Sequence, residues 1–280
     1  MILPTDLTDA PARALTVAPS PAFWLALVLY AAAALAFVFA AAGRAKAATA
    51  ARWLLAGAVA AHGVDIGWRG VLHVHPAQSV REALGLTAWL FAGGYLAAAS
   101  RFRLDLAGGV VAPVALGILA AARLTPAGTD PTGLGTLGRI HIMMAVVGVS
   151  LFAVASALAA IYLLQERSFK KKRLDTLAWK SGGAPLESLD RLANRLVLVG
   201  FPIFTVAMVL GVIWVQQRHA SFGRPEYPLA LVTWVSFAAL LATRVAYGWR
   251  GRRSARLTLL GFATAMLVLT IYLVRRVLAG

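Results

Sequence analysis

The chain has 280 residues, 60% of them hydrophobic and only 14% charged, with a formal charge of +16. A water-soluble domain of this length needs far more polar surface, so that class is excluded. With no cysteine, disulfides, thiolate metal sites and thiol redox chemistry within the chain are excluded as well.

The apolar residues come in blocks of about 20, the length that crosses roughly 30 Å of hydrocarbon. Residues 1–20 are polar and lack a basic start followed by an apolar core, which predicts an outer tail rather than a cleaved signal peptide. Spans are then predicted in chain order over 22–42, 53–73, 84–100, 104–123, 141–165, 195–216, 227–247 and 257–274. The RFRL connection between the third and fourth predicts a tight helical hairpin. Pro113 and Pro202 fall inside spans, where they free backbone carbonyls. The longest connection, 166–194, carries ERSFKKKRLD and the turn signal SGGAP; it predicts an interfacial helix, a turn and a short lead-in to the sixth span. With no internal repeat and no soluble insert, the expected fold is a single all-α membrane domain over 1–280. It is a polytopic bundle of about eight transmembrane helices.

The charge has a membrane explanation, because Lys and Arg gather at the ends of the spans. Seventeen lie in one set of connections: Arg44, Lys46 and Arg52, the pair Arg101 and Arg103, eight in 166–195, and Arg250, Arg252, Arg253 and Arg256. Nine lie in the other set, and Arg244 falls inside the seventh span. The richer side is predicted to be cytoplasmic, which places both termini outside. No nucleic-acid module accompanies the charge, so no nucleic-acid partner is expected.

On this topology four of the five histidines reach the outer face: His73 and His75 after the second span, His141 opening the fifth, and His219 in the loop after the sixth. Neutral imidazole is a good ligand for haem iron, and ordinary interfacial histidines are the plainer alternative. His62 lies deeper, eleven residues before His73, or roughly 16 Å at 1.5 Å per residue. With Asp65 and Arg69 it forms a polar stripe on one helix face. Such groups in a membrane usually face a cavity or a partner. Asp65 could pair with Arg69, or it could orient His62 as an in-membrane ligand or proton relay. Of the eight tryptophans, Trp24, Trp68, Trp179, Trp214, Trp234 and Trp249 lie near span ends as interfacial anchors, and Trp89 reads as a packing residue. No phosphate loop, nucleophile elbow or HExxH motif is present, so catalysis by this chain alone is not expected.

From about residue 84 onward the order of features resembles the cytochrome c assembly protein family, of the CcsA/HemX type. The segments that carry the likeness are IHIMMAVVGVSLFAVASALAAIYLLQERSFKKK from Ile140, LESLDRLANRLVLVGFPIFTVAMVLGVIW, and PLALVTWVSFAALLATRVAYGWRGRRSARLTLLGF. The resemblance implies a membrane factor that presents haem at the outer face, with His141 as an axial ligand. It implies a second ligand from His219, His73 or His75. Trp214, Phe222 and Trp234 would then pack the macrocycle, and Arg218 or Arg224 would pair its propionates. Implied partners are another cytochrome c assembly subunit and apocytochrome c, in a bacterial-type inner membrane.

The chain departs from the family pattern at three places. The loop QQRHASFGRPEYP contains no Trp between Trp214 and Trp234. Ala242 or Thr243 stands where many members have a histidine, and the chain ends IYLVRRVLAG without a second flanking histidine. Two other readings stay open. One is a HemX-like regulator or scaffold of haem biosynthesis, acting through the basic 166–195 segment. The other is a small-molecule transporter built on His62, Asp65 and Arg69.

Overall fold

The computed structural model describes residues 18–42, 45–102, 104–125, 135–170, 185–217 and 223–278. Among these residues all regular structure is helical. The helices are α1 (Pro21–Ala41), α2 (Ala45–Val71), α3 (Val80–Ala99), α4 (Asp105–Leu124), α5 (Gly135–Lys170), α6 (Leu186–Gln217), α7 (Glu226–Tyr247) and α8 (Arg252–Leu278). They follow the eight expected spans one for one, and the fold is a polytopic helical membrane bundle.

Several helices outrun their apolar windows, because hydrocarbon thickness limits the window and not the helix. The largest shift of a single end is in α6, which begins at Leu186 rather than at 195. LESLDRLANRLV is itself amphipathic, with Leu189, Ala193 and Val197 recurring every fourth residue on the buried side. What was expected as a lead-in therefore continues the helix. Of the 166–194 connection expected to hold an interfacial helix and a turn, residues 171–184 lie outside the described residues.

Six helices, α1 and α4 to α8, are long and apolar enough to cross a membrane on length and composition. α2 and α3 are not among them, since α2 carries His62, Asp65 and Arg69 and α3 opens on Arg81 and Glu82. The packing explains how these helices are accommodated: His62, Asp65 and Arg69 are 1%, 3% and 9% exposed. Their polar groups turn toward other helices, where partners are available, and away from lipid. The outward surface is apolar instead, with Val28, Leu35, Leu124 and Val245 all well exposed, as hydrocarbon permits.

Helix ends follow local chemistry. Ser20 caps α1, its Oγ accepting from the Phe23 amide at 3.1 Å, and Pro21 takes the first helical position. Ser79 caps α3 by accepting from the Glu82 amide at 3.3 Å. α7 stops at Gly248, whose φ of 63° is the left-handed conformation that ends helices, and Gly251 at 65° completes the turn into α8.

α1 packs on α2 and α4, and α3 packs on α4 and α5. α5 in turn packs on α6 and α8, and α7 lies against α8 and α6. The α5–α6 seam is close because each side supplies a glycine: a Cβ on Gly148 would come within 3.1 Å of Phe204, and one on Gly200 within 3.0 Å of Phe152. Phe152 then stacks on Phe237 of α7 with centroids 3.7 Å apart and meets Phe204 edge-on at 5.5 Å. In the first half of the chain, Tyr30, Phe37, Leu55 and Tyr95 fill the corresponding core.

Candidate functional site

His141 sits one and a half turns into α5 and faces α6. Its Nδ1 lies 2.7 Å from the Ala207 carbonyl oxygen. A carbonyl only accepts, so Nδ1 carries the proton, and the neutral ring keeps its lone pair on Nε2. Ala207, Gly211 and Trp214 are spaced by four and three residues, so they present one face of α6 to this ring. The Trp214 ring stacks at 6.3 Å with an interplanar angle of 17°. Position 211 has to be glycine for this approach, because a Cβ there would lie 2.8 Å from His141 Cε1 and 3.0 Å from Nδ1. The imidazole is thus held in one plane and one tautomer, with the nitrogen that can bind a metal left over.

The other residues expected around His141 divide. Trp214 is in place. Trp234 donates its Nε1–H to Thr205 Oγ1 at 2.9 Å and leans on Phe201 at 5.5 Å. Thr205 precedes Ala207 by two residues, about 200° of rotation, so Trp234 sits on the far face of α6 from His141. Arg224 is exposed just before α7. Arg218, His219 and Phe222 lie outside the described residues.

His73 and His75 fall in the turn between α2 and α3, both exposed. His73 has a φ of 59°, which a non-glycine residue rarely adopts. His75 Nδ1 accepts from the Ala77 amide at 3.0 Å. Its neutral ring therefore protonates Nε2, the reverse of the His141 arrangement. Among the described residues no cluster of three or more His, Asp or Glu could hold a metal ion.

The polar stripe of α2 forms a second site. Asp65 is gripped from two sides: Ser20 Oγ donates to Oδ1 at 2.6 Å and Arg69 Nε donates to Oδ2 at 3.1 Å. Arg69 continues to Glu82, with Nη1 2.7 Å from Oε1. Of the two roles expected for Asp65, the geometry has the ion pair, and the ring of His62 is met by another residue. Its Nδ1 lies 3.5 Å from Tyr30 Oη, with the two rings edge-on. His62, Asp65, Arg69 and Glu82 line a small open cleft together with Arg81 and Arg123.

A third polar cluster joins α6, α7 and α8 at the opposite end of the bundle. Arg244 holds Asp190 with two hydrogen bonds, Nη1 to Oδ1 at 3.1 Å and Nη2 to Oδ2 at 2.6 Å. It also donates to Ser254 Oγ at 3.0 Å, and the Gly251 amide donates to Asp190 Oδ1 at 3.1 Å. The sequence offered one clue to this cluster: a lone arginine inside an apolar span needs an acidic partner. It held no signal for Ser20, Tyr30 or Gly211, whose contacts join separate helices.

The model of the family described as cytochrome C assembly protein matches residues 77–280. Proteins named cytochrome c biogenesis protein CcsA are similar to this chain. That of Guillardia theta is 28% identical over 211 residues, covering 67% of this chain and 69% of the relative. That of Gloeothece citriformis is 26% identical over 238 residues, covering 67% and 73%. A shorter match to the Gloeobacter violaceus protein is 40% identical over 80 residues, 28% of this chain and 24% of the relative. No solved structure matches. The matched region contains His141, its α6 cradle and the Asp190–Arg244 cluster, whereas α1, α2 and the His62 stripe precede it. On a family match that takes in α3 to α8, this multi-pass membrane chain belongs to the cytochrome c assembly protein family.

Proposed function

We propose that this protein acts in cytochrome c biogenesis as a membrane haem-handling factor. It would present haem at the outer face of a bacterial-type inner membrane to a partner subunit that attaches it to apocytochrome c. The observation that carries the reading is the state of His141: Nδ1 is tied to the Ala207 carbonyl at 2.7 Å, so Nε2 keeps the lone pair an axial ligand needs.

The residues fit the group on that ground. His141 would hold the iron, with Trp214 stacked behind the imidazole to keep it from turning. Second-ligand candidates are His219 and His73. His75 is disfavoured because its Nδ1 already accepts a backbone hydrogen bond, which puts the neutral ring's proton on Nε2. Arg224 is exposed and free to pair a propionate. Bound haem would supply the vinyl carbons from which thioether bonds are made. Those bonds also need cysteine thiols, which the apocytochrome would bring.

The test is a reduced-minus-oxidised absorption spectrum with pyridine haemochrome quantification, on the purified wild type and on His141→Gly. Wild type is expected to carry haem or to take it up on loading. The variant is expected to lose most of it and to recover the α-band when imidazole is added to the buffer. Unchanged occupancy and spectrum in the variant would remove His141 as the ligand. A wild type that stays haem-free after loading would overturn the haem reading and favour a regulatory or scaffolding role.

A further inference from the structure

The turn from α7 into α8 carries four arginines, Arg250, Arg252, Arg253 and Arg256, all exposed and none used by the haem reading. It lies at the end of the bundle that the count of basic residues assigns to the cytoplasm. The turn is pinned from two sides. The Gly251 amide donates to Asp190 Oδ1 at 3.1 Å, and a Cβ on Gly251 would lie 2.6 Å from Tyr162 Oη. Glu166 of α5 reaches only Arg252, at 3.8 Å, and is itself held by Lys170 at 2.8 Å. Arg250, Arg253 and Arg256 meet no carboxylate among the described residues.

Arg253 and Arg256 are neighbours on α8, and the same face continues through Leu260, Ala263 and Leu267. All five positions are exposed, at spacings of three and four residues. The two guanidiniums therefore crown the apolar stripe that α8 turns toward hydrocarbon. Arg253 stands over the Trp249 ring, its Cζ 5.4 Å from the centroid, and Tyr247 leans on Trp249 at 6.5 Å. Tyrosine and tryptophan favour the headgroup level of a membrane, so this pair sets the depth of the arginines.

We infer that this turn is a binding site for an anionic phospholipid, with the headgroup phosphate between Arg253 and Arg256 and an acyl chain along the Leu260 stripe. Residues three apart on a helix have Cβ atoms about 5–6 Å apart, so two guanidiniums can donate to one phosphodiester. Leu260 lies a turn beyond Arg256, about 6 Å deeper, where a lipid's glycerol gives way to its chains. A soluble anion would use the arginines and leave the apolar stripe idle. A zwitterionic lipid carries its own ammonium beside the phosphate and leaves the excess positive charge of the turn uncompensated. This assignment is independent of the haem reading, since it uses none of the same residues.

The test is native mass spectrometry of the full-length protein, released from uncharged detergent and titrated with dioleoylphosphatidylglycerol or with the phosphatidylcholine of the same chains. Wild type is expected to bind the first phosphatidylglycerol about tenfold more tightly than the phosphatidylcholine, or better. Arg253→Gln/Arg256→Gln removes no hydrogen bond or ion pair within the described residues. It is expected to weaken phosphatidylglycerol about thirtyfold, at about fivefold for each guanidinium near an anionic headgroup. Lys46→Gln/Arg101→Gln removes the same charge from exposed positions on the same side of the bundle and is expected to leave that affinity unchanged. Glycerol phosphate, which has the headgroup without the chains, is expected not to displace the lipid at equal concentration. The proposal is overturned if phosphatidylglycerol binds no better than phosphatidylcholine, or if Arg253→Gln/Arg256→Gln binds it as wild type does. An equal loss in Lys46→Gln/Arg101→Gln would overturn it as well, because net charge and not this turn would then hold the lipid. Displacement by glycerol phosphate would overturn it in favour of a soluble anion.

Discussion

Removing Asp190 is expected to loosen three helices at once. Its carboxylate accepts two guanidinium hydrogen bonds from Arg244, at 3.1 and 2.6 Å, and a third from the Gly251 amide at 3.1 Å. The two side chains are only 10% and 13% exposed. With charge centres about 4 Å apart and an effective dielectric near 20, their attraction is about 4 kcal/mol, most of it offset by the desolvation of both groups. The net worth of the pair is therefore small, whereas losing one partner is severe because the other charge stays buried alone. For Asp190→Ala we expect about 3 kcal/mol, the low end of the usual range, since the pair keeps some access to water. That corresponds to a fall in Tm of about 6 °C for a chain of this size. The double variant Asp190→Ala/Arg244→Ala, with no stranded charge, should be no worse than Asp190→Ala alone. Arg244→Lys should be less stable than wild type, because a single ammonium nitrogen cannot reproduce the planar fork of Nη1 and Nη2 that holds both Asp190 oxygens. The assay is thermal unfolding followed by tryptophan fluorescence in uncharged detergent. Additive losses in the double variant, or a Tm within about 1 °C of wild type for Asp190→Ala, would show that the cluster does not hold the helices together.

Two further changes test the other polar sites. Gly211→Ala puts a methyl within 2.8 Å of the His141 ring, so the ring must turn away from the Ala207 carbonyl. Haem retention should fall in this variant while Tm changes by less than in Asp190→Ala, and normal haem content would show that the ring plane is unimportant. Arg69→Ala strands two nearly buried carboxylates, Asp65 and Glu82, and is expected to cost about 3–5 kcal/mol. Much of that loss should be recovered when Glu82→Gln and Asp65→Asn are added, as read by the same unfolding assay. Failure of those additions to rescue would mean that the stripe is not held by charge pairing.

The existence, number and order of the helices could be read from the sequence, because membrane burial acts on each segment separately. A run such as 195–216 is apolar enough to enter hydrocarbon whatever its neighbours are. The cost of an ionisable group in a span was legible in the same way. Arg244 and the His62–Asp65–Arg69 stripe stand out at once as groups in need of partners.

Which partners they find was decided only by the packing. Ser20 meets Asp65 across 45 positions, and Arg244 meets Asp190 across 54. These contacts depend on how each helix is rotated about its axis. In water the polar stripe of a helix reveals that rotation. In a membrane both lipid and protein interior accept apolar side chains, so the pattern along the apolar part of α6 hardly separates its two faces. For that reason the sequence could assign His141 and Trp234 to one haem site without fixing which side of α6 each faces. The fold sets them on opposite sides of α6, where Gly211 alone leaves room for the imidazole.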